Sequence, residues 1–129
     1  MKRTILVVDD NLDSVAIMRG ILETRGFDVA TATSGAEALA FLETTTPDLV
    51  LLDIMMPVMS GIEVLQRIKQ DPALGALPVI LVTAKTQDED LLSGYQYGAD
   101  YYITKPFSGP ELMQKVTNVL ARRRPALAA

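Results

Sequence analysis

The chain has 129 residues, 49% hydrophobic and 22% charged, with a formal net charge of −4, which suits one domain with a packed core and excludes a disordered chain. Cysteine and histidine are both absent. Disulfides, thiolate nucleophiles, Cys-based zinc sites and an imidazole general base are therefore excluded, and any chemistry must use carboxylates, hydroxyls, lysine or a hard cation held by oxygen.

Ile5-Leu6-Val7-Val8 is a continuous apolar run and predicts a strand near 4–9, buried on both faces and ending in Asp9-Asp10. Leu12, Val15, Ala16, Met18 and Leu22 recur at spacings of three and four, predicting a helix near 11–25 that stops about Gly26, with Asp10 placed to cap it. Phe27 to Thr31 is a weaker, more polar run and predicts an edge strand near 28–32. Ser34 with Glu37 opens a helix near 34–45 through an S/T-x-x-E capping box. Leu49-Val50-Leu51-Leu52 predicts a third strand near 48–53, ending in Asp53, and Ser60 with Glu63 opens a helix near 60–70. Val79 to Val82 predicts a strand near 78–83, ending in Thr83-Ala84, before Thr86 with Glu89 and a helix near 87–97. Tyr101 to Thr104 suits a second edge strand near 100–104, running into Lys105-Pro106. Ser108 with Glu111 opens a last helix near 108–122. One capping box is a weak signal; four, each just before an expected helix, reinforce one another.

The pattern is α/β: a (βα)5 doubly wound, five-stranded parallel sheet in the flavodoxin-like order 2-1-3-4-5. Residues 1–122 form the expected domain, and 123–129 a tail or linker stub. The run Arg122-Arg123-Arg124 reads as cations at a helix C-terminus. Without it, nine basic side chains face sixteen acidic ones, so direct nucleic-acid binding is not expected. No apolar run nears the roughly 18 residues of a membrane helix, and the N-terminal run is too short for a signal peptide. A cytoplasmic location without membrane contact is expected.

Doubly wound sheets bind ligands at the carboxyl ends of their strands. Asp9, Asp10, Asp53, Thr83 and Lys105 would meet at that rim. Each alone has a plain explanation: a helix cap, a turn acid, a strand-end hydroxyl, a solvated lysine. Together, three carboxylates repel unless cations offset them, and Lys105 offsets only one. Oxygen ligands without histidine favour Mg²⁺. Such a site suits phosphoryl transfer to a carboxylate that is already ionised and needs no general base.

Over residues 3–121 the sequence resembles the response-regulator receiver domain of two-component signalling. The carrying motifs are Ile5-Leu6-Val7-Val8-Asp9-Asp10-Asn11, Asp48 to Pro57, Ser60-Gly61, Val82-Thr83-Ala84, Gly98-Ala99-Asp100 and Lys105-Pro106-Phe107. The resemblance implies that Asp53 accepts the phosphoryl group. It implies that Asp9 and Asp10 bind Mg²⁺, Asp10 being favoured as the direct ligand, with Asp53 and the Met55 carbonyl completing the set. Thr83 and Lys105 would bind the phosphoryl group, Thr83 and Tyr102 would form the switch, and Lys105-Pro106 would be cis.

The implied partners are a histidine kinase or phosphotransfer protein and a downstream protein or covalently linked output domain. A homodimer through the fourth helix, fifth strand and fifth helix is also possible. Met55 and Lys85 offer no carboxylate or amide to orient water, so a fairly long-lived acyl phosphate is expected; a lifetime of seconds would contradict that. Met56 and Met59 lean toward a kinase-docking surface over core filler, while Tyr95, Tyr97 and Tyr101 divide evenly between packing and partner contact. The competing readings are a phosphorylation-independent interaction module, an aspartate-based phosphatase (which would carry an Asp where Met55 stands) and a flavin or dinucleotide binder (which would need a glycine-rich loop after the first strand).

Overall fold

The computed structural model describes residues 2–84 and 96–122. Five strands, β1 (Thr4–Val8), β2 (Asp28–Ala32), β3 (Leu49–Asp53), β4 (Val79–Ala84) and β5 (Tyr101–Lys105), pair in parallel in the order β2-β1-β3-β4-β5. Four helices are described: α1 (Leu12–Thr24), α2 (Gly35–Thr44), α3 (Gly61–Gln70) and α4 (Gly109–Arg122). The expected helix near 87–97, with its Thr86–Glu89 cap, Lys85 and Tyr95, lies outside the described residues.

The alternation of a strand sorts the core into two layers. Leu6, Val8, Val50, Leu52, Val79 and Leu81 face the side covered by α2 and α3. Ile5, Val7, Leu49, Leu51, Ile80, Val82 and Ile103 face α1 and α4. Both sides of β1, β3 and β4 are covered, so residues 5–8, 49–52 and 79–82 are continuously apolar, and polar residues enter only at the strand ends. The outer strands β2 and β5 keep partly exposed positions, as their mixed composition requires.

Capping decides where the helices begin. The Asn11 side chain, not that of Asp10, accepts the Ser14 N–H at 3.0 Å and caps α1. Adjacent Asp and Asn are both good caps, and the start of the helix selects Asn11. Ser34, Ser60 and Ser108 accept the N–H groups of Glu37, Glu63 and Glu111 at 3.0, 3.3 and 3.1 Å. Glu111 returns the contact to Ser108, but Glu37 reaches back to the Thr33 N–H. Gly26, at φ 90°, ends α1 in a conformation that other residues resist. On α1, Val15, Met18 and Leu22 are buried, but Leu12 is 69% exposed and Ala16 is also exposed. Those two expected core positions belong to the outer face.

Candidate functional site

The alternation that turns Ile5 and Val7 toward α1 continues to Asp9. On β3 the same parity runs from Leu49 and Leu51 to Asp53, and on β5 from Ile103 to Lys105. Asp9 is fully buried, Asp53 is 4% exposed and Asp10 is exposed. One carboxylate oxygen from each lies within 4.8 Å of the others. Lys105 runs inward over the sheet end and donates to Asp9 Oδ2 at 2.7 Å and to Ser14 Oγ at 3.4 Å. Asp9 Oδ1 accepts the Asn11 N–H at 2.9 Å. Asp53 Oδ1 accepts the Met55 N–H at 3.4 Å, which brings the backbone of the β3–α3 loop to the cluster.

Burial and then the Asp9 charge push the Asp53 carboxyl up to about 7, against the opposing pull of Lys105 and the Met55 N–H. Without further positive charge, Asp53 is about half ionised at neutral pH. The ready-ionised nucleophile is expected of a site with a divalent cation beside Lys105, and this upward push is the reason the cation is needed. The donors are hard oxygens, and the chain holds no histidine or cysteine. A buried acid group short of compensating charge, with oxygen ligands alone, fits Mg²⁺ and does not fit zinc or copper.

Gly61 sets the approach of α3 to this end of β3. A Cβ there would collide with the Asp53 carbonyl oxygen, and the Gly61 N–H donates to the Ile54 carbonyl at 2.9 Å. Thr83 is fully buried, and its hydroxyl donates to the Ala84 carbonyl at 3.0 Å. Tyr102 is half-buried against the α2–α3 side of the core. Leu81 is its register partner on β4, so Thr83, two positions on, shares its face. The Lys105–Pro106 peptide is cis.

The methionines differ from expectation. Met56 is 8% exposed and Met59 packs against the core, so both fill space beside α2 and α3; Met55, at 55%, is the exposed one. Tyr101 packs against the α1–α4 side and accepts from Lys115 Nζ at 2.9 Å, whereas Tyr97 is 44% exposed.

Sequence reasoning missed three residues. Asp48 accepts the Thr4 N–H and Asp100 the Val79 N–H, both at 2.8 Å, tying strand starts together at the opposite end of the sheet. Their positions just before β3 and β5 were a readable signal. Ser14, which Lys105 meets besides Asp9, carried no signal beyond its place one turn into α1.

Residues 5–117 match the family model described as the response regulator receiver domain. The chain is 43% identical over 122 residues to the alkaline phosphatase synthesis transcriptional regulatory protein PhoP of Bacillus subtilis (strain 168), covering 95% of this chain and 50% of that one. It is 42% identical over 121 residues to the phosphate regulon transcriptional regulatory protein PhoB of Rhizobium meliloti (strain 1021), covering 94% and 53%. The chain thus spans about half the length of these curated relatives. Its fold is similar to a solved CheY-like response regulator receiver domain protein from Methanospirillum hungatei JF-1, with a TM-score of 0.89, 31% identity, and coverage of 95% and 96%.

Proposed function

The chain belongs to the response regulator receiver domain family, and from that premise we propose that Asp53 accepts a phosphoryl group from a histidine kinase or phosphotransfer protein, in a Mg²⁺-dependent step that switches a protein-binding face. The observation that carries this reading is the buried Asp53 carboxylate, gathered with Asp9 and Asp10 and faced by Lys105.

An Asp53 carboxylate oxygen attacks phosphorus and forms the new P–O bond. The bond from phosphorus to the donor nitrogen or oxygen breaks, and the donor leaves with the electron pair. Lys105 neutralises charge on the transferring oxygens, and Thr83 turns its hydroxyl from the Ala84 carbonyl to donate to one of them. Asp9, Asp10, Asp53 and the Met55 carbonyl would hold Mg²⁺, which when bound supplies positive charge and in-line order. The chain therefore acts as a signalling domain that promotes only its own phosphorylation and dephosphorylation. The side chains of Met55 and Lys85 carry no carboxylate or amide to orient an attacking water, which favours a long-lived acyl phosphate.

The switch follows from the face that Thr83 and Tyr102 share. Movement of Thr83 toward the phosphoryl group opens space into which the half-buried Tyr102 ring turns, reshaping the surface around β5 and α4. That surface is the proposed contact for a downstream protein, a linked output domain or a second copy of the chain. Residues 1–122 would be the receiver and 123–129 a tail or linker stub. Among the described residues, no helix is long and apolar enough to cross a membrane, and a cytoplasmic setting fits the proposed partners. The relatives named as transcriptional regulators are about twice as long, so DNA binding is not assigned to these residues.

Incubation with acetyl phosphate and Mg²⁺, followed by intact mass measurement, tests the reading. A phosphoryl-sized gain blocked by EDTA is expected. No gain under conditions that phosphorylate a control receiver would favour the phosphorylation-independent interaction module.

A further inference from the structure

We propose that Ser14 is a positioning residue for Lys105: its hydroxyl holds the ammonium on the Asp9 side of the pocket in the unphosphorylated protein, and so sets how readily Asp53 takes and keeps a phosphoryl group. The inference rests on the reading of Asp53 as the acceptor.

The geometry is built by one turn of chain. The Asn11 N–H donates to Asp9 Oδ1 at 2.9 Å, and the Asn11 side chain in turn accepts the Ser14 N–H at 3.0 Å. The cap that starts α1 therefore fixes Asp9 and Ser14 relative to each other. Lys105 carries three donors, and it directs one to Asp9 at 2.7 Å and one to Ser14 at 3.4 Å. Both partners lie at the β1–α1 end of its reach. Asp53 ends β3, which stands between β1 and β4 in the sheet.

A phosphoryl group on Asp53 offers stronger acceptor oxygens than a serine hydroxyl. Lys105 turns to them and gives up Ser14. The Ser14 contact is thus made in the resting state alone, and a contact made in one state biases the equilibrium toward that state. There is room for the exchange: Ser14, Ile17, Lys105, Pro106 and Phe107 line a cavity of about 330 Å³.

The test uses the full chain with Mg²⁺ and sub-saturating acetyl phosphate, and reads the ratio of phosphorylated to unphosphorylated protein by intact mass. Ser14→Ala is expected to raise that ratio about threefold, the size of one modest hydrogen bond, and Ser14→Thr, which keeps the hydroxyl, to return it to the wild-type value. In metal-free protein without donor, a urea double-mutant cycle between Ser14→Ala and Lys105→Met should be non-additive, because the contact belongs to the resting state. That cycle also reports whether each variant folds. A ratio unchanged or lowered by Ser14→Ala, a Ser14→Thr protein that behaves like the alanine variant, or an additive cycle would overturn the proposal while leaving Asp53 as acceptor. A wild-type chain that takes no phosphoryl group would remove the acceptor reading, and this inference with it.

Discussion

Asp48 enters β3 and Asp53 ends it, and the two aspartates meet opposite surroundings. Asp48 accepts the Thr4 N–H at 2.8 Å, and Asp100, which leads into β5, accepts the Val79 N–H at the same distance. At that end of the sheet a carboxylate completes the backbone of a neighbouring strand. At the other end Asp53 is buried beside Asp9 and pushed up to about 7. A side chain of one type is a structural tie where backbone donors satisfy it. It is the proposed reactive group where burial and like charge hold its carboxyl up.

The largest expected effect separates these roles outright. Asp53→Asn is expected to abolish the phosphoryl-sized mass gain, whereas Asp48→Asn leaves it in place. Loss of acceptance in a folded Asp48→Asn protein would break the comparison.

The next effect is a pH dependence. The Asp53 carboxyl ionises near 7 in the fold, against an ordinary 3.8, so the metal-free fold retains a proton that the unfolded chain releases. The contribution of this group is fully favourable below about pH 3.8 and is lost as pH rises toward and through 7, by on the order of 4 kcal/mol over the whole window. Urea unfolding in EDTA at pH 5 and pH 7.5 should show the larger part of that loss in wild type and not in Asp53→Asn. Added Mg²⁺ should restore wild-type stability at the higher pH.

Removing the structural acids should cost less. Asp48→Ala or Asp100→Ala leaves a strand N–H without its acceptor, at about 1–2 kcal/mol in urea unfolding, with acceptance unchanged in the folded fraction. The smallest effect sharpens the picture of the reactive end. Val58, in the β3–α3 loop, sits at φ 70° with its side chain fully exposed, and the Met59 N–H closes the turn onto the Pro57 carbonyl at 2.7 Å. Val58→Gly should relieve that conformation and stabilise the chain by about 0.5–1 kcal/mol, read as a shift in the urea midpoint.

Strand order and the gathering of Asp9, Asp10, Asp53 and Lys105 were legible because they depend on periodicity and on which residue ends each strand. The apolar runs of β1, β3 and β4 fit doubly covered strands, and chemistry collects at their carboxyl ends. What was illegible depends on the exact winding of short segments. Whether Asp10 or Asn11 caps α1 turns on one residue of register, and that choice places Leu12 and Ala16 outside. Met56 and Met59 belong to the core on the α2–α3 side, Met59 seated against Gly35 of α2, a contact between loop and helix that no sequence periodicity shows. The meeting of Ser14 with Lys105 joins residues far apart in the chain, and no local pattern announces it.

The most direct test is to locate the phosphoryl group. The chain would be phosphorylated with acetyl phosphate and Mg²⁺, the acyl phosphate reduced with borohydride to homoserine, and the position read by peptide mass mapping. Homoserine at Asp53 alone is the predicted result. Homoserine at Asp9, Asp10 or Asp48, or a phosphorylated protein with none at Asp53, would contradict the assignment of the reactive role to the end of β3.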